Sequence, residues 1–145
     1  AIYEYEDGRR THHTCRQIDG CSNDNSDYVY GTKGWMHVEG WRPVYRAKDY
    51  KGNKLWSFDG EVGDMYQNEH NALFKSIRAG KPIDDGVRSA NSCMMAIMAR
   101  MAAYTGETIT WEKAINSKED LSPKSLELGP IEMPAVAIPG KTKFV

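Results

Sequence analysis

"NKLWSFDGEVGDMYQNEHNALFKSIRAGKP", residues 53 to 82, changes its period midway, and that change decides the fold class. Up to Phe58 the segment is short and aromatic and runs into Asp59-Gly60, as a strand and its turn do. From Met65 onward the spacing is helical, with Tyr66, His70, Leu73, Phe74 and Ile77 on one stripe. Asp64 stands where an N-cap belongs, and Gly80 with Pro82 closes the helix.

Everything upstream reads as strand. "IYEYE" leads into Asp7-Gly8, a hairpin signal, and "RTHHTCRQI" returns. The loop "DGCSNDNSD" is dense in turn formers, and "YVYG" and "WMHVEGW" follow it, joined by "GTKG" as a turn. Everything downstream reads as helix or tail. A second helix is expected from about Gly86 to Tyr104, with Ala90, Cys93, Met94, Ile97, Met101 and Tyr104 toward a core and Gly106 as its stop. Thr110 caps a short helix, "WEKAINS". The proline-rich "LSPKSLELGPIEMPAVAIPGKTKFV" predicts an extended tail on the surface.

Strands followed by helices argue an α+β fold: an open, mainly antiparallel sheet, helices packed on one face, and the tail laid over it. Residues 1–116 then form the domain and residues 117–145 the tail. Alternation puts Trp35, His37, Glu39 and Trp41 on one sheet face. Together with Trp56, they make a surface too apolar for bare solvent and too polar for a core, which reads as an interface for self-association.

Length and charge narrow the classes. A chain of 145 residues suits one domain with a core. Its net charge of −1 gives no phosphate-neutralising surface, which argues against nucleic acid as a partner. "CMMAIMARMAAY" is too short for a membrane span and carries Arg100. The chain opens without an initiator Met on the strand-like "AIYEYEDG", which suggests a piece of a longer protein, and no secretory leader pattern is present. Of the three cysteines, Cys93 reads as a core residue, while Cys15 and Cys21 fit either a disulfide or two free thiols.

Few motifs carry chemistry. There is no G-x-G-x-x-G, Walker, G-x-S-x-G or H-E-x-x-H pattern. "NDNSD" lacks the glycine and distal glutamate of a calcium loop. His13 and Cys15 share a strand face but lack two further zinc ligands nearby, so no metal is expected. Glu69 and His70 point about 100° apart on a helix and cannot share a metal. His70 therefore reads first as a hydrogen-bonded histidine at the core edge and second, with Tyr66, as part of a pocket rim. Arg16 and Gln17 fall at the end of the return strand, where an Arg fork suits substrate hydroxyls or a carboxylate, or only a surface ion pair.

Six stretches carry a resemblance. "YEYEDG", "CRQIDGC", "GTKG", "YQNEHNALFKSIRAGKP", "MAIMARMAAYTGETITWEKAINS" and "IPGKT" are similar, in this order and over nearly the whole chain, to the C-terminal domain of the Gfo/Idh/MocA (glucose–fructose oxidoreductase/inositol dehydrogenase) family. The likeness is to its bacterial, exported branch. It implies a two-domain parent whose N-terminal Rossmann domain binds NAD or NADP, with this chain closing the substrate site and mediating a homo-oligomer. Sugars and polyols would be the substrates, and periplasm is favoured over cytoplasm.

The family's catalytic lysine, in Glu-Lys-Pro, has no counterpart here: Lys81-Pro82 ends a helix, and Glu112-Lys113 has no following proline. No Asp lies four residues before any histidine, so the family's Asp-x-x-x-His pair is missing too. The resemblance therefore implies no catalytic residue and no cofactor site in this chain. It leaves Arg16, Gln17, Tyr66 and His70 as substrate-side candidates. A free-standing dimerisation module and an NAD-using glycoside hydrolase relative are the alternative readings.

Overall fold

The computed structural model describes residues 1–145. In chain order the elements are β1 (Ile2–Glu4), β2 (Arg10–His12), β3 (Ser26–Tyr30), β4 (Gly34–Glu39), β5 (Val44–Asp49), β6 (Lys54–Ser57), α1 (Met65–Arg78), α2 (Gly86–Thr105) and α3 (Trp111–Ile115). The fold is α+β, with every strand pair antiparallel. The strands form two sheets, a β1–β2 hairpin and a β3-β4-β5-β6 meander. The chain divides into two compact units, Ala1–Arg16 with Asp84–Val145, and Gln17–Ile83. That division differs from the 1–116 and 117–145 expected from composition.

In the first unit, Asp7-Gly8 turns the hairpin as its sequence requires: Gly8 sits at φ 82° and donates to the Tyr5 carbonyl at 2.9 Å. The Tyr3 hydroxyl donates to the Met95 carbonyl, which ties the hairpin to α2. Partial burial, followed by the neighbouring Tyr5, raises the Tyr3 pKa. The return strand ends at His12, so Arg16 lies in irregular chain beyond it rather than at a strand end.

Helix α2 buries part of the expected stripe, at Met94 and Met101, and leaves the rest of it open. Ala99, Met101 and Thr105 are buried, with Met94, Met95 and Met98 half-buried above them, whereas Ala90, Cys93, Ile97 and Tyr104 are exposed. Gly106 ends the helix at φ 74°, and its N–H reaches the Ala102 carbonyl. A Cβ there would come within 3.0 Å of the Gly140 nitrogen. The closeness reflects chain packing, because Gly140 N–H donates to the Thr105 carbonyl at 2.7 Å.

No helix or strand follows Ile115, yet the chain's last residues are held down. The Ser117 hydroxyl donates to the Val145 carbonyl at 2.6 Å, and Lys113 lies over the Phe144 ring. Thr110 caps α3 through the Lys113 amide, and Ala114 beneath is 2% exposed.

The second unit is built on the meander. "GTKG" turns β3 into β4, with Gly31 N–H on the Gly34 carbonyl at 2.9 Å. Strand β5 was not among the segments expected: its Arg46 and Lys48 alternate with Tyr45 and Ala47, so charge hides its apolar face. Asp49 closes the next turn, accepting from the amides of Lys51 and Asn53 and from the Asn53 side chain. Asp64 caps α1 through the amides of Tyr66 and Gln67. Gly80, at φ 62°, terminates it.

No residue of α1 is buried. The stripe from Tyr66 to Ile77 exists but is open to solvent, against the expectation of a core. Cys15, Cys21 and Cys93 are all free thiols, and Cys93 is exposed rather than in a core.

The total accessible surface is 13086 Å² for 16.4 kDa. Even two separate compact bodies sharing that mass equally would expose only roughly 9,000 Å² together. The chain's buried apolar residues are just Ala99, Met101 and Ala114. A large apolar surface is therefore left open.

Two outcomes test the meander. A Cβ on Gly34 would lie 2.2 Å from the Lys48 carbonyl oxygen, a backbone atom that cannot swing aside. Gly34→Ala should force β4 from β5 and cost about 1–3 kcal/mol or more, measured by denaturant unfolding. Asp49 is held below its ordinary carboxylate pKa of 3.8, first by the Asn53 side chain and also by backbone amides. A depressed folded pKa stabilises above the unfolded value and loses that contribution as pH falls through the folded one. The melting temperature of Asp49→Asn should therefore converge on that of the wild type in acid and fall below it at neutral pH.

Candidate functional site

The ladder register sorts the second unit's side chains into two faces. Tyr28, His37, Arg46 and Ser57 pair in a single row across β3, β4, β5 and β6. Val29, Met36, Ala47 and Trp56 form the next row, which points the other way. Trp35, Glu39, Tyr30 and Lys48 lie on the His37 face. Trp56 is thus on the opposite face from Trp35, and Trp41 lies in the turn beyond β4. The expectation that all three tryptophans share one surface is corrected by the pairing with β5, which fixes the parity of β6.

His37 is the centre of the first face. It is 8% exposed, stacks on Tyr28 with ring centroids 4.7 Å apart, and places Nε2 2.9 Å from Ser26 Oγ. Its Nδ1 is 3.4 Å from Arg46 Nη2. A guanidinium only donates, so Nδ1 accepts, the proton sits on Nε2, and Nε2–H donates to Ser26. Asp24 is held below the usual carboxylate range, first by the Ser26 hydroxyl and further by the Tyr28 hydroxyl. The polar chain runs from Arg46 through His37 and Ser26 to Asp24.

This order settles its chemistry. A nucleophilic serine needs an imidazole nitrogen free to take its proton, with the carboxylate behind the histidine. Here the imidazole donates to the serine and a cation stands behind it. The row is a structural clasp on the sheet, with a rim of exposed Tyr28 and Tyr30.

On the opposite face lies an open cleft of about 380 Å³, lined by Tyr45, Trp56, Phe58, Glu61, Val62, Gly63, Met65 and Asn68. Tyr45 and Phe58 meet edge to face at 6.0 Å. The segment 59–64 turns from β6 into α1 over this cleft, and Asn68 lies so close to Gly63 that a Cβ there would be 2.9 Å from Nδ2.

The sequence candidates fall elsewhere. Arg16 belongs to the first unit, and Gln17, Tyr66 and His70 belong to the second. Tyr66 and His70 sit one turn apart on α1, where His70 Nδ1–H donates to the Tyr66 carbonyl at 2.7 Å. His70 is exposed, not at a core edge, and neither residue lines the cleft. Sequence reasoning missed Tyr45, Phe58, Glu61 and Asn68. The aromatic run from Trp56 to Phe58 was the available signal, but its facing depended on β5.

A dinucleotide does not fit the helix starts. The first free amides of α1 are already taken by the Asp64 carboxylate, and Asp84 and Asp85 precede α2. A pyrophosphate at either start would meet negative charge instead of open N–H groups. No group of three or more His, Cys, Asp or Glu residues is arranged to hold a metal.

No protein-family model matches the chain, and neither a curated protein nor a solved structure matches it.

The two histidines separate by melting. His37→Ala should cost about 2–4 kcal/mol, because it opens a cavity against Tyr28 and removes the partner of the half-buried Ser26 hydroxyl. His70→Ala should stay within about 0.5 kcal/mol, as exposed substitutions do. Equal losses in thermal unfolding would show the burial pattern to be wrong.

Proposed function

We propose that this chain is the substrate-side and oligomerisation domain of an NAD(P)-dependent oxidoreductase acting on sugars or polyols. The observation that carries the reading is the exposed surface: 13086 Å² is about 4,000 Å² more than compact bodies of this mass leave open. A domain meant to be covered, by a nucleotide-binding domain and by a second copy, has this excess. The six ordered stretches similar to the Gfo/Idh/MocA C-terminal domain supply the identity of the covering domain. In this reading the nucleotide domain supplies NAD or NADP and the proton and hydride chemistry, and this chain supplies substrate contacts and the oligomer surface.

The face bearing Tyr28, Tyr30, Trp35, His37 and Lys48 is the proposed self-association surface. Aromatics beside satisfied polar groups are what an interface core requires. Light scattering on the protein should give a dimer, and Trp35→Glu should return a monomer with its fold intact by circular dichroism. An interface of this kind would bury about 1,200 Å² or more in total. A monomer at high concentration would remove the oligomerisation half of the proposal.

The function itself is tested on the full reading frame that contains this chain. Expressed with whatever it encodes upstream, the protein should reduce NAD or NADP when offered a panel of sugars and cyclitols. Calorimetry on residues 1–145 alone should show no heat with either nucleotide. A reading frame that encodes no nucleotide domain, or micromolar nucleotide binding by these residues alone, would overturn the reading.

A further inference from the structure

We infer that the cleft between β5, β6 and the start of α1 is a binding subsite for one neutral ring polyol, a monosaccharide or cyclitol, with Trp56 as its stacking platform and Glu61 and Asn68 as its hydroxyl partners. The inference rests on the sugar or polyol reading above for its choice of ligand and on the cleft's own chemistry for its place.

The size fits first. A volume of about 380 Å³ is within the range of small-ligand sites and exceeds what one six-membered ring with hydroxyls needs. The walls fit next. Trp56, 49% exposed, and Phe58, 47% exposed, leave about half of their aromatic surface open at the cleft. The C–H face of a sugar ring packs on such a surface without losing any hydroxyl–water bond.

The polar groups decide the class. Glu61 makes no ion pair, and the side chains of Glu61 and Asn68 make no hydrogen bond within the chain. Asp19, Asp27 and Glu69 of this unit are unpaired as well, but Glu61 is the carboxylate that lines the cleft. Glu61 accepts only, while Asn68 both donates and accepts. That pair complements two neighbouring hydroxyls, each of which donates and accepts. A quaternary ammonium ligand would satisfy Glu61 and the rings but offers no hydrogen bond to Asn68. An apolar ligand would desolvate both polar groups for nothing.

The position supports use of the site. Gly63 has no Cβ where one would lie 2.9 Å from the Asn68 amide nitrogen, so the backbone passes close beside that amide. Asp64 then fixes the first turn of α1, from which Asn68 projects.

The probes are myo-inositol and glucose, with choline and a short alkyl alcohol as controls. Each is titrated into the protein and followed by NMR at the Trp56 indole N–H, assigned through Trp56→Phe, and at the Asn68 side-chain amide. At least one polyol should saturate both signals. Trp56→Ala should weaken binding about tenfold or more, and Glu61→Gln and Asn68→Ala should each weaken it severalfold. Glu61→Gln is a surface change that keeps the fold, so its effect does not depend on a stable Trp56→Ala. Saturation by choline alone, by the alcohol alone or by no probe would overturn the subsite.

Kinetics of the full-length protein separate this failure from that of the function. Polyol oxidation with an unchanged KM in Trp56→Ala and Glu61→Gln would refute the subsite and keep the function. Polyol binding at the indole, with no hydride transfer by the full-length protein, would keep the subsite and refute the function.

Discussion

The register of β4 between β3 and β5 is the constraint on which the second unit depends. Gly34 lies against the Lys48 carbonyl with no room for a side chain, and this close approach pins one end of the ladder. From there strict alternation carries His37 to Tyr28 on one side and Arg46 on the other. A slip of one residue would turn His37 outward and bring Met36 and Val38 to the polar row. The clasp from Arg46 through His37 and Ser26 penalises that slip, because a buried imidazole without partners is costly. Backbone sterics at one end and a satisfied polar row in the middle thus specify the same pairing.

The first unit relies on a different device. Its only deeply buried side chains are small or flexible ones, Ala99, Met101, Thr105 and Ala114, and they lie near the C-terminal end of α2 and α3. The last residues of the chain close over this region through Gly140, Ser117 and Phe144. Arg100 pairs with Glu119 at its edge, and that hydrogen bond is the main cause of the raised Arg100 pKa. A tail without secondary structure is therefore part of the packing at its end, and a proline-rich composition did not reveal which of its residues dock.

What the sequence carried well was local. Asp64, Thr110, Gly106 and Gly80 cap or stop the helices where their residue types require, and Asp7-Gly8 turns the first hairpin. The α+β class followed from the change of period near Asp64. Burial was less legible, for a physical reason. Periodicity says which residues share a side of a helix, but not whether another surface covers that side. The α1 stripe was read correctly as a stripe and wrongly as a core face. Strand β5 was lost because Arg46 and Lys48 sit on the clasp face, and with it went the parity of Trp56. The candidate site suffered most, since Tyr45 and Phe58 converge only through the β5–β6 pairing, while Arg16 rested on a strand end that falls at His12 and His70 on a stripe that is open to solvent.

Trp56 and Ser57 are neighbours in sequence and point to opposite faces of the same sheet. One serves the aromatic cleft and the other ends the polar row. The proposed oligomer surface and the proposed polyol subsite are therefore back to back, separated by one layer of backbone about the thickness of a single sheet. A copy docked on the clasp face would leave the cleft open to a ligand. Coupling between them would have to pass through β5, whose Arg46 holds the clasp while Tyr45, one residue away, lines the cleft. The pairs Ala47–Trp56 and Lys48–Lys54 skip Leu55, so β6 carries one extra residue next to Trp56. An extra residue there bends and twists β6 locally beside Trp56, while the Arg46–Ser57 pairing on the clasp face stays unbroken.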